Sequence, residues 1–198
     1  MRLVASLLLA GLVTAPGAAR GESPTPTIVQ NDGFFSGQPV VFPSGLKAGD
    51  AVATRLVTPG FGGGAVIEVM VVFGGTASGT VPVTLKIWDD SAQTDEPGME
   101  LLSRPELLVS TAAPTLQRIS LAGVEVPNRF RVGIVLGADA LPTVGQDTDG
   151  TIAADNNFAF RPATGWHKSA ADGVTGDWII RANLARVVGG GGSGSGGG

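Results

Sequence analysis

The sequence contains no cysteine, no tyrosine and a single histidine among its 198 residues. Without cysteine there can be no disulfide, no thiol nucleophile and no thiolate metal site. With His167 as the only imidazole, a nucleophilic triad has one place to form, and no G-x-S-x-G turn accompanies it. Aromatic residues make up only 6%, which is sparse for a surface devoted to stacking. Charge is also low: 13 Lys and Arg against 17 Asp and Glu leave a net charge of −4. That balance lacks the basic patch that nucleic acid or an anionic membrane demands. Helical stripes are missing as well. The nearest, "PGMELLSRPELLVS", is interrupted by Pro105. There is no internal repeat at solenoid or propeller spacing.

What is present begins with a leader. Arg2 precedes an apolar run from Leu3 to Val13, followed by Pro16, Gly17 and Ala19. This is the layout of a secretory signal peptide over residues 1–19, and the run is too short to span a bilayer. The expected location is therefore secreted, periplasmic or at the cell surface, with no membrane insertion of the mature domain. Residues 20–38 are rich in Pro and Gly and read as an extended linker. Residues 39–188 read as one domain, and residues 189–198 as a flexible Gly/Ser tail leading to a neighbouring domain or anchor.

The domain alternates with a period of two. "AVIEVMVVFGG" places Ile67, Val69, Val71 and Phe73 on one face, with Val66, Met70 and Val72 on the other, the pattern of a central strand covered on both sides. "VPVTLKIWDD" sends Val81, Val83, Leu85 and Ile87 inward and Thr84, Lys86 and Trp88 outward. "RFRVGIVLG" groups Phe130, Val132, Ile134 and Leu136. An edge strand is expected around Val40–Phe42. With Gly, Pro and Asp turns between such segments, the pattern predicts an all-β chain: a two-sheet antiparallel β-sandwich, jelly-roll-like, of about nine strands.

The succession "KIWDD…EPGMELLS", "RFRVGIVLG", "DTDG…NNFAF…TGWHK" and "GDWIIRANL" resembles a β-sandwich, jelly-roll-like domain of secreted bacterial proteins. The resemblance covers about Ala51 to Leu184. It implies the fold and the compartment, and carries no agreed biochemical activity.

Two constellations stand out as candidate sites. "GQDTDGTIAADNN" supplies Asp147, Asp149 and Asp155, hard oxygen ligands of the kind calcium takes. Its spacing is not that of an EF-hand, and a pair of Asx turns explains the same residues. "WDDSAQTDEPG" reads as a solvated acidic hairpin loop. The second constellation is aromatic. Trp166, in a loop-like stretch beside His167, and the outward-facing Trp88 can stack on sugar rings, whereas Trp178 opens a strand and belongs to the core. The sequence thus predicts an exported, non-catalytic accessory or surface module with a glycan or other cell-surface ligand, and leaves open no cofactor other than calcium. The alternatives are a purely structural or adhesive domain and, with less support, a carbohydrate-active hydrolase.

Overall fold

A computed structural model describes residues 25–185 except 59, 61, 77, 112 and 141. The leader read at 1–19 and the tail read at 189–198 lie outside the described residues.

The fold turns on β3 (Gly63–Gly74), the strand with apolar residues on both faces. Val69, Val71, Phe73 and, on the opposite face, Met70 and Val72 are all buried. β3 pairs antiparallel with β11 (Ile180–Ala185) on one side and β6 (Leu116–Pro127) on the other. A bulge between Val66 and Glu68 corrects the face assignment made from strict alternation. The extra residue turns Val66, rather than Ile67, onto the side of Val69 and Val71 and into the main core. β1 (Thr27–Val29) extends this arm along β11.

A second arm runs β5 (Glu100–Thr111), β4 (Ser78–Asp89), β7 (Arg129–Leu136), β2 (Ala51–Val57), β9 (Asn157–Arg161) and β10 (Gly165–Lys168). Each strand is antiparallel to the next. The far end of β3 joins the arms. Gly74 meets Thr111 of β5 in parallel register, and Phe73 and Gly74 pair with β8 (Thr143–Val144). The all-β expectation therefore holds. Among the described residues, however, the hydrogen bonding runs through one open, mixed sheet of eleven strands, because β3 is long enough to pair in both arms.

Val71, Phe73, Ile180 and Leu184 from the first arm form one cluster with Val52, Leu85, Ile87, Phe130, Val132 and Ile134 from the second. Each such side chain, once fully buried, contributes about 1.5–3 kcal/mol.

Three segments depart from the sequence reading. The described part of the stretch taken as a linker, residues 25–38, enters the fold. Thr27–Val29 is a strand, Phe34 is buried against Val72 and Ile179, and the Asp32 carboxylate is paired with Arg181. A buried ion pair accounts for polar residues lying inside the fold there. Val40–Phe42, read as an edge strand, makes only an isolated bridge from Val41 to Gln146. The third is "ELLSRPELLVST", the interrupted helical stripe, which forms the strand β5. β5 pairs with β4 along its length and, among the described residues, pairs with β3 only at Thr111, which leaves most of its other edge open there. Proline is tolerated where its missing N–H would point out of the sheet. Farther along that edge the Gln117 side-chain amide stands in for a strand. Its oxygen accepts the Val109 N–H at 2.8 Å and its nitrogen donates to the Val109 carbonyl at 2.7 Å.

Candidate functional site

The outer face of the second arm is built on small residues. Ala51 lies opposite Val135, Ala53 opposite Gly133 and Arg55 opposite Arg131 across β2 and β7. Gly133 lacks a side chain for a steric reason. A Cβ there would stand within about 3 Å of the Ala53 Cβ, the Val52 carbonyl oxygen and the Trp88 ring. The gap lets the Trp88 indole lie across β7, where it is only 7% exposed. Trp88 thus occupies the outward register expected for it but is covered. Gly133→Ala is expected to lower stability by about 1–3 kcal/mol through overpacking, read from the urea midpoint. An unchanged midpoint would show that Trp88 moves aside freely.

The cover over Trp88 comes from β10. Trp166 lies in a strand rather than a loop, paired with Phe160 of β9. On a flat sheet, β10 and β4 would stand four strand spacings apart, roughly 19 Å. Instead the Trp88 and Trp166 ring centroids are 5.3 Å apart in a T-shaped arrangement, and Phe160 sits 5.4 Å from Trp166. Sheet curl and the reach of both indoles bring them together. Between them remains a depression of about 250 Å³ lined by Gly49, Ala51, Lys86, Trp88, Val135, Phe160 and Trp166. Lys86 is its one charged group, and Glu100 neutralises it at 2.6 Å.

Beneath the rings lies an ion cluster that sequence reasoning missed. The Asp90 carboxylate accepts from Arg55 Nε at 2.6 Å and from Arg131 Nη2 at 3.0 Å, and all three side chains are almost wholly buried. Both guanidinium groups also donate to the Thr94 carbonyl, each at 3.0 Å. The Arg131 guanidinium lies 3.6 Å from the Phe158 ring centroid and 5.3 Å from that of Trp166. Burial pushes Arg131 down to about 10, against the attraction of Asp90. Asp90 therefore corrects the reading of its loop as solvated: two buried cations require a buried anion. The available signal was an arginine in each of two otherwise apolar strands, "AVATRLV" and "RFRVGIVL".

No protein-family model matches the chain, and no match was found among curated proteins or solved structures.

Strand alternation separates Trp166 from His167. Trp166 and Lys168 share one face of β10, on which Trp166 lines the depression and Lys168 lies over the Phe158 ring, while His167 faces the other way. Its Nε2 lies 3.1 Å from Asp172 Oδ2 and its Nδ1 lies 3.1 Å from the Gly165 carbonyl. Asp172 is bonded to Arg161 as well, at 3.3 Å. Burial alone would raise Asp172, but the hydrogen bonds and charges of His167 and Arg161 outweigh it and hold the carboxyl below its usual value.

The three aspartates read as calcium ligands do not converge. Asp147 is buried and accepts the backbone N–H groups of Gly33 and Asp177, each at 2.8 Å. Asp149 accepts the Thr151 N–H at 2.8 Å and its hydroxyl at 2.7 Å, an Asx turn. The Asp155 side chain is 94% exposed. Among the described residues, no group of three or more His, Asp or Glu side chains is placed to hold a metal ion.

Asp177 completes this loop by accepting from the Ala153 N–H and the Asn157 side-chain amide. Burial raises its pKa above the usual carboxylate value, only partly offset by those two donors. A carboxyl raised on folding contributes stability that is full below its unfolded pKa and is lost as pH rises through the folded value. Asp177→Asn keeps the acceptor without the charge. Its stability relative to the parent is therefore expected to improve between pH 4 and pH 7, measured by denaturant titration. A gap that stays constant or moves the other way contradicts the assignment.

Proposed function

We propose that the chain is an exported, non-catalytic binding module that holds a neutral glycan on the outer face of its sheet. The observation that carries this reading is the depression between Trp88, Trp166 and Phe160. It offers the half-buried rings of Trp166 and Phe160, backed by the covered Trp88, for the apolar side of a pyranose, with the Lys86–Glu100 pair at hand to donate to and accept from hydroxyls. The neutralised charge favours an uncharged ligand. A two-layer, jelly-roll-like sandwich, with the two arms as its layers, suits a rigid platform for such a site, and the shared core of the two arms supports it. Export rests on the leader, and the module reading on the glycine tail and on the resemblance to secreted bacterial β-sandwich domains.

The test is a glycan-array screen with calcium and with chelator, followed by titration of the best ligand. Trp166→Ala is expected to weaken binding at least tenfold, as removal of an aromatic anchor does, while thermal unfolding shows the variant folded. Full binding by Trp166→Ala, or no binding by the parent, sinks the reading. A structural or adhesive role is favoured by one separate observation. Leu107 is 67% and Val109 47% exposed on β5, beside Pro82 and Pro105.

A further inference from the structure

We infer that the sugar ligand carries an apolar aglycone, an alkyl or acyl chain, which lies on the exposed strip of β4 and β5 next to the aromatic depression. The inference rests on reading that depression as a sugar site, and it names the class of glycan the site takes. It accounts for a surface that a sugar alone leaves bare. Leu107 and Val109 stand exposed on β5, with Pro82 and Pro105 beside Leu107. Contiguous apolar surface of this kind marks a binding region.

Strand register puts the strip and the depression on one face. Lys86, Val135 and Phe160 line the aromatic depression. Phe160 lies opposite Ala51, Ala51 opposite Val135, Val135 opposite Thr84, and Thr84 opposite Pro105. Pro82 lies opposite Leu107 in the same ladder. Residues directly opposite each other in a sheet point to the same side, as do residues two apart along a strand. Pro82, Thr84 and Lys86 therefore share the outer face with Pro105, Leu107, Val135 and Phe160. Only the half-buried Thr84 stands between Lys86 and Val135 on one side and Pro82 and Pro105 on the other. From Val135 to Pro105 is two strand spacings, roughly 10 Å.

The strip suits hydrocarbon better than a second sugar or a peptide strand. Its depression, about 400 Å³, is lined by Pro82, Pro105, Glu106 and Leu107. Glu106, the one charged member, is paired with Arg104. A sugar ring would find few groups there to meet its hydroxyls. An added strand would find a broken edge, since Pro105 has no N–H and the Gln117 amide holds both backbone groups of Val109. A hydrocarbon chain needs no hydrogen bonds and gains from covering Pro and Leu side chains. With the sugar on Trp166 and Phe160, the chain would leave across Thr84 and end on Leu107.

The experiment follows tryptophan fluorescence of the full chain during titration with methyl, butyl, hexyl and octyl β-glycosides of glucose, galactose and N-acetylglucosamine, kept below micelle-forming concentrations. For the sugar that binds, affinity is expected to rise at least tenfold from methyl to octyl, the gain from burying about two methylenes. Leu107→Asp and Leu107→Ser alter an exposed position and should fold, which thermal unfolding checks. Each is expected to cut the rise to less than threefold. Trp166→Ala should weaken every member of the series at least tenfold. Equal affinity along the series, lost in Trp166→Ala, overturns the apolar subsite, leaves the strip to a protein partner and spares the sugar reading. A rise that both Leu107 variants keep also overturns the subsite. Octyl glycoside binding that Trp166→Ala retains in full, or no binding by any glycoside, overturns both.

Discussion

Asp90→Ala is expected to lower the unfolding free energy by about 3–5 kcal/mol, the cost of stranding buried charge without its partner. The variant would leave the Arg55 and Arg131 guanidinium groups facing each other behind the Trp166 and Phe158 rings, held only by loop carbonyls. Bulk water does not solvate the stranded charges, because Arg131 is 0% and Arg55 only 6% exposed. Asp90→Asn should lose less, since it keeps one acceptor oxygen. Urea titration of both variants, with the m-value checked for two-state behaviour, reads the difference. A loss below about 1 kcal/mol for Asp90→Ala would mean that the carbonyls alone satisfy both cations.

Val71→Asp should yield no folded protein. Val71 is 0% exposed, lies opposite Ile180 and Gln117 in register, and faces the shared core of both arms. An aspartate there either buries an unpaired charge or folds as the neutral acid, and both cost several kcal/mol. Against a typical domain stability of 5–15 kcal/mol, the loss of packing adds to that and removes the margin. The readout is the soluble fraction and near-ultraviolet circular dichroism of the purified chain beside Val71→Ala, which should fold with reduced stability. Normal yield and melting of Val71→Asp would overturn the placement of β3 at the centre.

The apolar strands were legible because alternation is a local property. Val83, Leu85 and Ile87, or Phe130, Val132 and Ile134, declare a face without knowledge of any partner. The bulge at Val66–Glu68 was not legible, since it depends on how β6 and β11 dock on β3 and leaves no mark in the composition. β5 was missed because its apolar spacing comes nearest to a helical stripe interrupted by Pro105, and its place at an open edge, where a strand tolerates proline, is a tertiary fact. The polar groups were hardest to place. Asp32, Asp90 and Asp147 look alike as loop aspartates, and only tertiary packing decides that each is buried with donors around it. In the candidate site the types were readable and the grouping was not: Trp88 and Trp166 meet across four strand spacings, whereas the sequence neighbours Trp166 and His167 face apart.

The amide of Gln117 has a consequence for the protein in crowded surroundings. An open strand edge is a template on which another chain can add, and fibrils grow by that route. β5 presents such an edge beside exposed Leu107 and Val109, the combination that most invites self-association. Pro105 removes one donor from the row, and the Gln117 amide occupies both backbone groups of Val109. A chain arriving to extend the sheet therefore finds a broken row of partners. The two interruptions thus work against strand addition at the place where the surface carries its apolar strip.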